Sequence, residues 1–228
     1  EGNERSGAIA VITYELSVPG NLLLAGEYVV TRPGGTGIGL AVGPRATAVV
    51  TVEPELAADR KPTNAREPAR AATPREPTNI RPALTVQARM GTATINWPDS
   101  ELPIVPAVLD SLEAEGLNVP SQGIVTVRVD TSPFFAGGVR KTGLGSSAAA
   151  AVLITAAGFL ASGRDPTTDV AGLARVAHRA HRVSKGGRGS GYDVYASTFG
   201  GVGLFRQADR DGESPQWNPI AGTLPPQI

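Results

Sequence analysis

The stretch Lys141-Thr142-Gly143-Leu144-Gly145-Ser146-Ser147, followed at once by the apolar run Ala148 to Leu153, gathers residue types able to hold an anion. Glycines at 143 and 145 let the backbone take conformations that a side chain forbids, so several N–H groups can turn toward one point. Ser146 or Ser147 is placed to cap the helix that the alanine-rich run predicts, and the first N–H groups of that helix lack intrahelical partners. The same end carries the positive pole of the helix dipole, and Lys141 adds a full charge beside it. The anion most often held this way is a nucleotide phosphate. The spacing is neither the Walker pattern nor the dinucleotide fingerprint, and a glycine turn into a capped core helix uses the same residues.

A second glycine-rich loop, Ser184 to Gly191, carries Lys185 and Arg188 and runs into Ser190-Gly191-Tyr192-Asp193. Cations on a flexible backbone suit a second anion. Asp193 opens a predicted helix, where a carboxylate is favoured, and a simple helix cap is its alternative role. Two anion loops and one acid point to phosphoryl transfer, in which the protein positions the donor and neutralises developing charge, usually with magnesium. Glu27 is the sole charge in Leu22 to Val30. It is either a half-exposed strand residue or a site residue, because a buried carboxylate is costly unless paired. His178 and His181 lie on a predicted helix and, lacking a carboxylate partner, read as ordinary helix residues.

Composition narrows the classes. The 228 residues suit one large domain, or one domain and the start of another. With 21 basic and 21 acidic side chains there is no global field to recruit nucleic acid or an anionic membrane, so neither is expected as a partner. The absence of cysteine excludes a disulfide framework and a thiolate zinc site, and two histidines do not make a histidine-rich metal site. The longest apolar run, Ala148 to Ala161, is too short to span a bilayer. Residues 8–12 lack the basic flank and length of a signal peptide. A soluble, cytoplasmic protein is expected. The first residue is glutamate, which suggests a trimmed chain or part of a longer one.

The elements that must position these residues are readable in order. Residues 8–18 predict a strand ending in a Pro19-Gly20 turn, and Leu22 to Val30 a further apolar stretch before a turn at Pro33-Gly34-Gly35. Ile38 to Val52 alternates as one or two strands. Residues 53–82, rich in proline, arginine, alanine and threonine, cannot bury enough surface to offset ordering and predict a mobile surface loop. Its arginines lack aromatic neighbours for stacking bases, which argues against a nucleic-acid arm. Ala83 to Trp97 predicts a hairpin turning near Met90-Gly91. A helix over 103–116 presents Val105, Val108, Leu109 and Leu112 on one face, and a strand covers 123–130. A helix over 168–183, started by Thr167 or Thr168, carries a stripe of Leu173, Val176, Ala177 and Ala180. A short helix over 192–199 and a strand over 201–205 follow, and residues 207–228 read as a linker or the start of a second domain.

With these motifs in view, the chain resembles the GHMP kinases, named for galactokinase, homoserine kinase, mevalonate kinase and phosphomevalonate kinase. Pro19-Gly20-Asn21 with Gly26-Glu27-Tyr28 is similar to the first family motif, Gly143 to Ala148 to the phosphate-binding loop, and Gly189 to Asp193 to the acid-bearing motif. Tyr28 and Lys141 make the phosphomevalonate kinase branch the strongest likeness. The resemblance implies an α+β amino-terminal domain over residues 1–206, with mixed or antiparallel sheets packed on helices, and a ferredoxin-like carboxy-terminal domain absent from this chain. It implies ATP and magnesium as cofactors and transfer of the γ-phosphoryl group to 5-phosphomevalonate, a step of isoprenoid precursor synthesis. Alternatives are a kinase for mevalonate or a sugar, and a nucleotide- or metabolite-binding module without turnover. By the same likeness Gly143, Leu144, Gly145, Ser146, Ser147 and Ala148 bind ATP, Ser147 is a magnesium ligand, and Asp193 and Lys141 are catalytic. Asn21, Glu27, Tyr28, Lys185, Arg188 and Ser190 fall on the substrate side.

A phosphorylated acceptor also has a physical argument. A phosphate oxygen is already anionic at neutral pH, so cations such as Lys185 and Arg188 matter more than a base, whereas an alcohol requires an acid–base residue at its hydroxyl. Two positions depart from the family pattern. Asn21 stands where many relatives carry lysine, and Arg182 stands where mevalonate kinases carry a magnesium-binding glutamate. The third family motif is absent, which leaves three expectations: the amino-terminal part of a larger protein, a remainder in a separate chain, or a protein that is not a working kinase.

Overall fold

A strand of 18 residues, running from Thr36 to Glu53, is the member on which the sheet assembles. In chain order the elements are β1 (Ile12–Ala25), β2 (Thr36–Glu53), β3 (Leu84–Met90), β4 (Ala93–Trp97), α1 (Ile104–Glu113) and β5 (Ile124–Asp130). They continue with β6 (Phe135–Ala136), β7 (Arg140–Lys141), α2 (Ser146–Ala161), α3 (Val170–Ser184), α4 (Tyr192–Phe199), β8 (Val202–Arg206) and β9 (Gln216–Pro219). This computed structural model describes residues 11–53, 84–119, 124–210 and 213–220. The expected mobile loop therefore lies outside the described residues, apart from Glu53, which ends β2.

The seven-stranded sheet runs β4-β3-β5-β2-β8-β9, and β1 also pairs with β2. Only β3 and β5 are parallel; the other pairs are antiparallel, so the sheet is mixed, as expected. Alternation sets the buried face: Ala46, Ala48 and Val50 of β2, Leu84, Val86 and Ala88 of β3, and Val125, Val127 and Val129 of β5 all point into the core. Against that face lies α2, whose residues from Ala148 to Ala161 are buried almost all round. A helix with no polar face must be covered on every side. Here β1, β2 and β5 cover one side and α1, α3 and α4 the rest. Its alanines let those neighbours approach closely; at Gly158 a Cβ would lie 2.3 Å from Leu112 Cδ1 of α1.

Three expectations change. β1 does not turn at Pro19-Gly20 but continues to Ala25, with a register shift between the two residues. Any side chain at Gly20 would collide with Phe134 and with the carbonyl of Leu144, so the glycine serves a close approach within a strand. The cap of α3 is Asp169, whose Oδ1 accepts from the Gly172 N–H at 2.8 Å, while the Thr167 N–H and hydroxyl bond Asp165. Within the predicted linker, β9 returns to pair with β8 and buries Trp217 beside Val30, Tyr195 and Phe205 in a second, aromatic core. The register of that hairpin places Trp217 over Gly203 and Gly39, which leave room for the indole. The hairpin at Gly91, the α1 face, β5, α4 and β8 lie where expected.

Candidate functional site

The glycine–serine loop is fastened from behind. Thr142 donates to the Phe134 carbonyl with both its N–H and its hydroxyl, each at 3.0 Å. The Leu144 carbonyl accepts from the Asn21 N–H at 3.0 Å. Gly143 and Gly145 take φ values of 81° and 83°, in the left-handed region that glycine alone enters cheaply. At Gly145 a Cβ would stand 1.8 Å from Asn21 Nδ2, so space as well as conformation demands glycine. Asn21 is 2% exposed, and its Nδ2 donates to Ser197 Oγ of α4 at 3.0 Å. Expected among the substrate contacts, it is buried and ties the loop to β1 and α4.

The loop then enters α2. The serine cap expected there is not formed: Gly145 takes the cap position, and Ser146 and Ser147 are the first helical residues. Among the described residues the Gly143 and Gly145 amides have no backbone acceptor, and the Ala149 N–H donates to the Gly145 carbonyl at the start of the helix. Ser147 Oγ lies 3.2 Å from His181 Nε2 of α3. His181 is thus a site residue that the reading of an ordinary helix position overlooked. Its signal was present, since it lies one helical turn beyond Ala177 on the buried stripe of α3.

Lys141, Ser146, Ser147, His181, Ser184 and Lys185 line one cleft of about 210 Å³, together with apolar side chains such as Leu102, Ile104 and Ile154. The lysines are exposed and the serines half-buried. Burial holds the His181 imidazole below its ordinary range; the Asp193 carboxylate opposes that shift and Lys185 reinforces it. Asp193 lies in the first turn of α4, where its Oδ1 accepts from the Val194 N–H, and its charge reaches both His181 and Tyr192. Burial raises the Tyr192 phenol, and the negative charges of Asp193 and Glu27 add to the effect. Glu27 therefore stands on the Asp193 side of the molecule, exposed, beside Tyr28 at a strained φ of 64°. The two ends of the second loop differ. Lys185 reaches the cleft, whereas Arg188 is exposed and does not line it. Ser190 is buried, and its carbonyl accepts from Gln207 Nε2.

The donor set bears on the expected magnesium. Among the described residues no group of three His, Asp or Glu side chains is arranged to hold a metal ion. The two donor atoms brought together are a hydroxyl oxygen, Ser147 Oγ, and an imidazole nitrogen, His181 Nε2. Magnesium takes oxygen ligands, so this pair does not match the set it favours. Among the described residues no helix is long and apolar enough to cross a membrane.

Comparison with known proteins places this arrangement. The family profile "GHMP kinases N terminal domain" matches residues 113–201, from the end of α1 through both glycine-rich loops to α4. Residues 113–201 are thus similar to a GHMP kinase N-terminal domain, and the chain has an α+β fold of that kind. Solved structures agree on the fold. The Lin0012 protein of Listeria innocua superimposes with a TM-score of 0.63 at 21% identity, over 92% of this chain and 57% of its own. L. major mevalonate kinase, solved with R-mevalonate, gives 0.59 at 18% identity over 94% and 54%. Streptococcus pneumoniae phosphomevalonate kinase, solved with phosphomevalonate and AMPPNP, gives 0.58 at 15% identity over 85% and 50%. The chain spans about half the length of these structures. No curated protein matches it.

Proposed function

We propose that this chain is the nucleotide-binding half of a small-molecule kinase, which transfers the γ-phosphoryl group of ATP to a phosphorylated acceptor of the phosphomevalonate type. The observation that carries the reading is convergence in one cleft: Ser146 and Ser147 at the start of α2, His181 beside Ser147, and the lysines 141 and 185 from two separate segments. The amides of residues 143–148, with Ser146 and Lys141, receive the triphosphate, since helix N-termini and ammonium groups favour anions. The apolar wall formed by Leu102, Ile104 and Ile154 takes the less polar part of the nucleotide. Lys185 faces the acceptor's negative charge, with Glu27, Tyr28 and Asp193 on the same side. Asp193 orients substrate and cations; a phosphate acceptor leaves it no proton to remove.

A second reading, a binding module without turnover, is favoured by one observation. Asn21, at the position where a lysine was expected, is buried against Ser197 and offers no charge to the cleft. A coupled assay of ADP release with phosphomevalonate, mevalonate and galactose separates the two. Turnover with phosphomevalonate above the others supports the first reading, and turnover confined to an alcohol moves the assignment to that acceptor. If ATP raises the melting temperature but no acceptor releases ADP, the binding module stands. ATP at a hundred times its Kd should add about 2.7 kcal/mol of stability, because it binds the folded chain alone.

A further inference from the structure

Gln207 lies just past β8, outside the glycine-rich motifs, yet its side chain is bonded to two of the segments that carry them. Its amide Nε2 donates to the Ser190 carbonyl at 3.2 Å and to the Val30 carbonyl at 3.4 Å. Both partners can only accept, which fixes the nitrogen as the end that faces them; Oε1 accepts from the Ala208 N–H at 3.0 Å. The backbone N–H of Gln207 donates to the Gly35 carbonyl at 2.8 Å. The turn that carries the residue is fastened too, by Arg206 on Asp209 at 2.9 Å and by the Gly34 N–H on the Ala208 carbonyl at 3.2 Å. Residues 26–35 stand between β1 and β2, and Ser190 stands between α3 and α4. Among the described residues no hydrogen bond joins residues 26–35 directly to residues 184–193. Val30 and Tyr192 share the aromatic core, but apolar contact has no direction of its own. Tyr28, two residues before Val30, holds a φ of 64°, which persists only where the surroundings fix it.

We propose that Gln207 is a positioning residue for the acceptor, setting the Glu27–Tyr28 turn against the Ser190–Asp193 segment through one side-chain amide. The proposal rests on the reading of those two segments as the acceptor side of the cleft. Loss of a residue that only stabilised the fold would weaken donor and acceptor binding alike. Loss of one that spaces the acceptor's two walls weakens the acceptor alone.

Calorimetry on the full chain tests this with two titrations, AMPPNP into the free protein and phosphomevalonate into protein saturated with AMPPNP. Gln207→Met keeps the length of the side chain and removes both ends of the amide. In it phosphomevalonate should bind about tenfold more weakly, the scale of one or two lost hydrogen bonds. AMPPNP affinity should stay within about twofold, since no side-chain bond of Gln207 reaches the loop before α2. Gln207→Glu, which keeps an acceptor for the Ala208 N–H and loses the donor, should show the same split. Phosphomevalonate affinity equal to wild type in both variants overturns the proposal and leaves the acceptor site standing. An equal loss for both ligands overturns it as well, and marks a residue of the fold. Wild-type protein that binds AMPPNP but no phosphomevalonate removes the acceptor reading, and the proposal with it; wild-type protein that binds neither removes the nucleotide reading too.

Discussion

The two glycine-rich loops have similar compositions and different mechanical settings. The loop before α2 is held at three points, by Phe134 on Thr142 and by Asn21 on both Leu144 and Gly145. The loop between α3 and α4 is tied to the last turn of α3, where the Gly186 and Gly187 N–H groups donate to the Val183 and Arg182 carbonyls, and again at Gly191. Arg182 Nε donates to the Gly187 carbonyl, and His178 packs so closely on Gly191 that a Cβ there would lie 2.2 Å from its ring. Gly186, Gly187 and Gly189 between them have positive φ and open space around them. Gly145 and Gly191 answer a demand of packing and conformation together; Gly143, like Gly186, Gly187 and Gly189, answers conformation alone. A rigid loop can present amides at set positions, whereas a loop whose glycines stand in open space has room to adapt to what it meets.

Gly145→Ala should cost the most, about 4 kcal/mol, from left-handed strain plus the collision with Asn21. Urea unfolding measures it, and a loss below 1 kcal/mol would mean that the loop is not clamped. Acid comes next, through the end of the second loop. Burial holds the His178 imidazole at about 4 instead of 6.5, and its Nε2 has no partner among the described residues. Above pH 6.5 the ring is neutral in both folded and unfolded chains, so it adds no pH dependence. Below that the unfolded chain takes up a proton that the folded one refuses, so stability falls as pH drops, by about 3 kcal/mol at the folded value. His181, also lowered by burial, adds to the slope. Unfolding curves at intervals between pH 7.5 and 4.5 should show the fall, and His178→Gln should reduce it.

Asn21→Ala should lose about 2 kcal/mol, the cost of removing a buried partner and leaving a cavity behind the loop. It should also weaken AMPPNP binding, because the loop loses its backing; unchanged affinity would show that Asn21 serves the fold alone. For charge, Lys141→Ala should weaken AMPPNP binding about tenfold, as expected for one charge-assisted contact to phosphate. Arg188→Ala, outside the cleft, should change it less than about twofold, since an exposed distant charge is screened. A reversed order would move the anion site to the second loop. Gly187→Ala should cost the least, about 1 kcal/mol, the left-handed penalty without a clash. Differential scanning calorimetry of this variant beside Gly145→Ala gives the contrast its clearest number.

Much of this arrangement can be read along the chain, because it depends on neighbours in sequence. Alternation in β2 and β5, the uniform burial implied by an alanine-rich α2, the Gly91 hairpin, and glycines where φ turns positive all follow from local periodicity and backbone sterics. So do the two cationic loops and the acid at the start of α4. Tertiary contact alone decided that Pro19-Gly20 continues a strand, that Asn21 backs the glycine–serine loop, that Trp217 returns to the sheet, and that His181 meets Ser147. Asn21 meets Ser197 176 positions away and His181 meets Ser147 34 away, while the strand through Pro19-Gly20 and the return of Trp217 rest on pairing with β2 and β8. Periodicity names the face on which a side chain lies; only packing names the atom it meets there.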